Sequence, residues 1–294
     1  MGDFKTNLNN QRERLKAVFN DTLDFIKSNA LLSSLTDNSQ NNTRIYLNTP
    51  CTDNPAVEGE FYFNNVFITK SKTIEAALRL HEDYPARKIA VLNFASATNP
   101  GGGVLKGASA QEESICRCTT LYPCLNKAEC YRDFYIPHRN AKDPLHNDDI
   151  IYSPDVVICK TDDGNFSRLP DDEFVKIDVI TCAAPNLREN PNNDFNQEGT
   201  NSAVKISDED LYKLHLKRAR AILNIAVAND VEILVLGAFG CGAFRNNPKI
   251  VAKAYKDALK GYWNRFQEIE FAIFCRQFDS DNYDAFVEEF KQYD

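Results

Sequence analysis

Apolar residues follow two patterns along this chain, stripes at spacings of three and four and short unbroken runs, and their alternation predicts the architecture. Between Gln11 and Lys27, Leu15, Val18, Phe19, Thr22, Phe25 and Ile26 form the stripe of an amphipathic helix. Positions 28–43 are crowded with Asn, Ser and Thr and read as a loop before a short strand at Arg44–Leu47. The aromatic and β-branched run Phe61–Ile68 predicts a strand. Lys72–His81, with Ile74, Ala77 and Leu78 on one face, predicts a helix. Lys88–Phe94 is almost continuously apolar, as suits a strand covered on both faces. Similar runs recur at Asp155–Cys159, Ile177–Ala183, Glu232–Ala238 and Glu270–Cys275. Ser207 is placed to cap a helix over Asp208–Asn229, and Asn247-Pro248 opens another that reaches Phe266. A last helix spans Asn282–Tyr293.

Strands alternating with helices predict a three-layer α/β/α domain on a parallel or mixed sheet. At 294 residues the chain suits one large domain with an accessory segment. We divide it into a helical extension, 1–43, and a domain, 44–294. The net charge of −8 excludes a broad basic face for capturing nucleic acid, but not an anionic ligand held by backbone amides. Nine cysteines, odd in number and irregularly spaced, several within apolar runs, indicate reduced thiols in an intracellular protein. Cys116, Cys118, Cys124 and Cys130 lack paired metal-ligand spacing, so no metal is expected. The start of the chain has no apolar signal region, and Met1-Gly2 through Thr6 fits the myristoylation pattern only loosely, with Asp3 against it. The apolar stretch Ile233–Phe244 is too short and glycine-rich to span a bilayer, so no membrane partner is expected. The chain reads as cytoplasmic, or nuclear in a eukaryote.

Candidate chemistry gathers in two glycine-rich loops at strand ends, where open α/β sheets bind ligands. The first contains Asn99-Pro100, the glycines Gly101, Gly102 and Gly103, and then Gln111-Glu112-Glu113. Three consecutive glycines make sense where a ligand approaches the backbone closely. The two glutamates also fit the first turn of a helix. The second loop is Leu236-Gly237-Ala-Phe239-Gly240-Cys241-Gly242-Ala243-Phe244, between an apolar strand and a helix, a setting for anion binding by N–H groups. It lacks the P-loop pattern, and Asp257 only loosely supplies the acidic residue of a dinucleotide fold. His81, His138, His146 and His215 have no triad-like partner and read as surface or packing residues; Lys217-Arg218 reads as a solvated pair.

Together, Gly-Gly-Gly, seven residues and Gln-Glu-Glu resemble the signature loop of poly(ADP-ribose) glycohydrolases. Asn93-Phe94-Ala95, Asn99-Pro100, Cys182-Ala-Ala-Pro-Asn186 and Gly240–Phe244 resemble the microbial-type branch. The resemblance implies a macrodomain fold with a mixed central sheet, poly(ADP-ribose) or ADP-ribosylated proteins as substrate, and hydrolysis of ribose–ribose O-glycosidic bonds without a cofactor. It implies Glu113 as the catalytic acid and base, and Glu112 as the group orienting the ribose. Asn99, Gly101–Gly103, Gln111, Gly240, Cys241, Gly242, Ala243 and Phe244 are then the ligand-binding residues, Phe244 against the terminal ribose. Adjacent glutamates are expected to diverge, so one carboxyl does both jobs in turn or the substrate must help, and burial is expected to raise the pKa of a carboxyl acid. Two alternatives share the fold: a hydrolase of single ADP-ribosyl groups and a non-catalytic ADP-ribose-binding module.

Overall fold

The central apolar runs have two buried faces and form the middle of a seven-stranded sheet. In a computed structural model, which describes residues 2–48, 65–189, 204–262, 264–275 and 279–291, the strands are β1 (Arg44–Tyr46), β2 (Val66–Thr69), β3 (Ile89–Phe94), β4 (Ile150–Ile158), β5 (Val175–Cys182), β6 (Ile233–Leu236) and β7 (Glu268–Ala272). Their order is β1-β4-β5-β3-β6-β7-β2; β5, β3, β6, β7 and β2 run parallel, while β4 is antiparallel to both its neighbours. Side chains alternate between two cores. Ala90, Leu92, Ile180, Cys182, Leu234 and Leu236 point into one, and Ile89, Val91, Ile177, Val179, Ile233 and Val235 into the other.

The first core is closed by three helices: α8 (Asp208–Ala228), α9 (Pro248–Leu259) and α10 (Asp281–Phe290). The second is closed by α1 (Gly2–Ser28), α3 (Thr73–Asp83), α4 (Gln111–Cys118) and α5 (Leu121–Leu125). This is the expected three-layer α/β/α arrangement, and it is macrodomain-like. Ser207 and Asn247 cap α8 and α9 through their side chains.

Several local expectations change. Positions 30–42 form a helix, α2 (Ala30–Asn42), instead of a loop. Its polar residues serve the backbone: Asn29 caps Leu32 N–H, Thr36 Oγ1 donates to Leu32 O, and Ser39 Oγ donates to Pro154 O at 2.6 Å. Tertiary packing thus overrides weak propensity. β4 begins at Ile150 rather than Asp155, because a bulge between Ser153 and Val156 absorbs Pro154 and lets pairing resume. Helix α9 stops at Leu259, and turns through Gly261 carry the chain to buried Phe266. Arg218 is not solvated: fully buried, it pairs with Asp148 at 3.1 Å, while Lys217 reaches the same carboxylate from the surface. Cys51, residues 61–64 of the expected second strand, 190–201 of the polar loop, and the end of the last expected helix lie outside the described residues.

The helical extension is tied to the sheet. Lys160, 1% exposed, donates to Val18 O at 3.0 Å and pairs with Asp21 at 2.6 Å, while Thr22 Oγ1 donates to Arg117 O. Six thiols, those of Cys116, Cys118, Cys124, Cys130, Cys159 and Cys182, are buried and free. Among the described residues no helix is long and apolar enough to cross a membrane, and no three His, Cys, Asp or Glu side chains gather as metal ligands.

Candidate active site

A cavity of about 1210 Å³ opens over the carboxyl ends of β3, β5, β6 and β7. The chain leaving β3 turns over the start of α4, and Gln111 fixes the junction. Its Oε1 accepts from Phe94 N–H, and its Nε2 donates to Leu92 O and Thr73 Oγ1. The expected ligand-binding amide is therefore spent on anchoring the helix, although the residue still lines the cavity.

Glu112 and Glu113 occupy the first helical turn, as the helix-start reading of the pair expects. Their carboxylates do not diverge as expected, because the glycine loop folds across the helix end and both reach it. A Cβ built on Gly102, where φ is +59°, would lie 2.6 Å from Glu113 Oε1 and 2.8 Å from Glu112 Oε2. Only glycine fits between them.

Their surroundings differ. Glu112 Oε2 accepts from Ser96 N–H at 2.7 Å, with further donors in Asn93 Nδ2 and Gly101 N–H. Burial, reinforced by the Glu113 charge, pushes the Glu112 carboxyl well above the usual range despite those donors. Glu113 Oε1 accepts from Gly103 N–H at 2.7 Å, while its Oε2 has no partner within the protein.

The second loop is built around Asn246. Its Nδ2 donates to Pro185 O, Gly240 O and Phe244 O, and its Oδ1 accepts from His215 Nε2 at 2.9 Å. Burial holds His215 down at about 4, so the imidazole is neutral. Gly240, at φ +79°, packs where a Cβ would sit 2.6 Å from the Asn246 amide. Leu187 N–H donates to Phe244 O, joining this loop to the one that follows β5.

Asn99, Gly102, Gly103, Gln111, Glu112, Glu113, Gly240, Gly242, Ala243 and Phe244 all line the one cavity. Gly101 and Cys241 do not. Gly101 turns inward to Glu112, and Cys241 spends its N–H on Ala238 O and packs against the core. The cavity also has walls that sequence reasoning missed. Phe274, 60% exposed, follows β7; its place at a strand's carboxyl end was a usable signal. Arg14 and Leu15 of α1, with Arg117, close the side near Glu113. His138, His146 and Asn186 line a further stretch of the wall; Asn186 ends the Cys182–Asn186 motif, whereas nothing in the local sequence marks the two histidines.

A mixed sheet between helical layers, with paired carboxylates under a glycine loop at its strand ends, defines a macrodomain-like glycosidase. The model of the microbial-type poly(ADP-ribose) glycohydrolase (PARG) catalytic domain matches residues 19–161. The poly(ADP-ribose) glycohydrolase of Deinococcus radiodurans, solved with ADP-ribose, is 32% identical over 86% of this chain and 96% of its own, with a TM-score of 0.71. The enzyme from Thermomonospora curvata, solved with the inhibitor ADP-HPD, is 28% identical over 95% of this chain and 100% of its own, with a TM-score of 0.78. The chain belongs to the microbial-type poly(ADP-ribose) glycohydrolase family. No curated protein matches it.

Proposed function

We propose that this chain hydrolyses the ribose–ribose O-glycosidic bonds of poly(ADP-ribose) to release ADP-ribose, with Glu113 as general acid and base. The observation that carries the assignment is the unequal state of the two carboxylates. Both oxygens of Glu112 are held by donors, whereas Glu113 is anchored through Oε1 and keeps Oε2 for chemistry. In its acid form Glu113 passes a proton to the departing ribose oxygen as the C–O bond breaks, leaving an oxocarbenium ion. Water adds to that carbon and returns its proton to Glu113. One water is consumed and the carboxyl ends as it began.

The remaining groups position the substrate. Glu112, held rigidly, orients the hydroxyls of the cleaved ribose, and Asn99 and Phe244 flank that ring. Gly102, Gly103 and the Gly240–Phe244 loop present backbone to the diphosphate, whose charge helps offset the oxocarbenium. The exposed Phe274 ring offers adenine a stacking face. An acidic chain thereby grips a polyanion locally, without a broad basic surface. The buried free thiols favour a reducing, cytoplasmic setting, and the helical extension 1–43 acts as a brace for the domain 44–294.

Glu113→Gln tests the assignment. Release of ADP-ribose from automodified polymer, followed chromatographically, is expected to fall by about 10²–10⁴-fold, the range for a lost general acid–base group. ADP-ribose binding, measured by calorimetry, is expected to survive. Wild-type turnover in the variant would overturn the role of Glu113. Wild-type protein that acts only on mono-ADP-ribosylated protein, or on neither substrate, would overturn the choice of polymer.

A further inference from the structure

The cavity exceeds the usual range of small-molecule sites. Small-molecule sites run to roughly 300–1,000 Å³, and this one holds about 1210 Å³. The sheet measures where the excess lies. Phe274 follows β7, the glycine loops follow β6 and β3, and Asn186 follows β5, while His146 lies just ahead of antiparallel β4. From β7 to β5 is three strand spacings, about 14 Å. With adenine at Phe274, the diphosphate over β6 and β3, and the ribose at Glu113 and Asn99, the end over β5 and β4 lies past the carbon that is cleaved.

That end carries unpaired polar atoms, with Arg139, Lys142 and Arg188 also in the cavity lining. His138 and Asn186 are more than nine-tenths buried, yet His138 Nε2 and Asn186 Oδ1 have no partner within the protein, and neither has His146 Nδ1. Buried polar atoms left unpaired are costly, so a ligand that meets them binds more tightly. His138 Nδ1 faces Phe134 O at 2.8 Å and must donate to it, which leaves Nε2 an acceptor for a hydroxyl. Burial, with His138 and Arg218 alongside, holds His146 down at about 3, so its imidazole is neutral. The wall is rigid. The Arg218 guanidinium donates to Leu145 O, His146 O and Ala183 O as well as to Asp148, and Asn186 N–H donates to Pro144 O. It also adjoins the reaction centre, since the His146 ring lies 6.5 Å from that of Phe244 and Arg139 donates to Thr98 O beside Asn99.

We propose that His138, His146 and Asn186 form a subsite for the adenosine of the unit that leaves, whose one free ribose hydroxyl and polar adenine edge meet the three unpaired atoms. The proposal rests on the glycohydrolase reading. It makes this wall a determinant of polymer over single ADP-ribosyl groups, because only polymer places a nucleoside on that side of the bond.

His146→Ala and Asn186→Ala test it, each checked for folding by thermal unfolding. Turnover is compared on polymer and on ADP-ribose carrying a small aromatic alcohol at the same ribose carbon. In each variant kcat/KM on polymer is expected to fall about tenfold further than on the small-aglycone substrate, through KM. Equal losses on the two substrates, or none on polymer, would overturn the subsite. Should wild-type protein release nothing from polymer, the glycohydrolase reading falls first and the subsite with it.

Discussion

Gly102→Ala is the sharpest probe of the catalytic geometry, because its effect follows from two measured facts. The residue sits at φ +59°, a conformation that costs an L-amino acid about 1–2 kcal/mol. The new methyl would also lie 2.6 Å from Glu113 Oε1 and 2.8 Å from Glu112 Oε2, closer than carbon and oxygen tolerate. Backbone and carboxylates must therefore part, and the 2.7 Å bond from Gly103 N–H to Glu113 is the first to stretch. A displacement near 1 Å at a reacting group costs about 10²-fold in rate. We expect kcat on polymer to fall about 100-fold and Tm by a few degrees, since 1 kcal/mol shifts a chain of this size by about 2–4 °C. Gly242→Ala is the matched comparison. No atom lies within 4 Å of its Cβ position, so Tm is expected to hold while the methyl obstructs ADP-ribose. Steady-state kinetics with thermal unfolding decides the matter. A Gly102→Ala protein with kcat within threefold of wild type would refute the argument that both carboxylates crowd this glycine.

Other outcomes are equally specific. Phe274→Ala is expected to weaken ADP-ribose binding about tenfold or more, as loss of a base stack does, and unchanged affinity by calorimetry would remove Phe274 from the adenine site. Asn246→Ala deletes the amide that holds Pro185, Gly240 and Phe244, and is expected to lower Tm and raise KM more than it lowers kcat. A dominant kcat effect would contradict that positioning role. Because the Glu112 carboxyl is held above its ordinary value, the folded state binds that proton more tightly than the unfolded chain. Its stabilisation is present below the unfolded carboxylate value and is lost as pH rises through the raised one. Wild-type Tm is therefore expected to fall relative to Glu112→Gln as pH rises, and a relative increase would reverse the assigned sign.

The sheet was legible because buried strands announce themselves as apolar runs, and the cap residues Ser207 and Asn247 marked helix starts for a local reason. Helix α2 was not legible, since its Asn, Ser and Thr become helical through contacts with β4 residues more than a hundred positions away. Pro154 hid half of β4, because a bulge is a property of pairing rather than of one strand. At the site, spacing revealed the glycines and glutamates, whose chemistry is local. The directions of Gly101 and Cys241, the anchoring work of Gln111 and the presence of His138 depend on which loops meet in space. No residue type encodes that.

The antiparallel course of β4 has a consequence for how such an enzyme diversifies. The loops that face ADP-ribose leave parallel strands, and each must return through a helix that also closes a core. The segment bearing His146 enters its strand instead, from a stretch of short helices held by Arg218. That segment also buries Cys130, Phe134 and Tyr135 in the second core, so it is braced from within as well as by Arg218. The cavity wall over β5 and β4 is thus reached by a different chain path from the two glycine loops, and a change there need not pass through either loop.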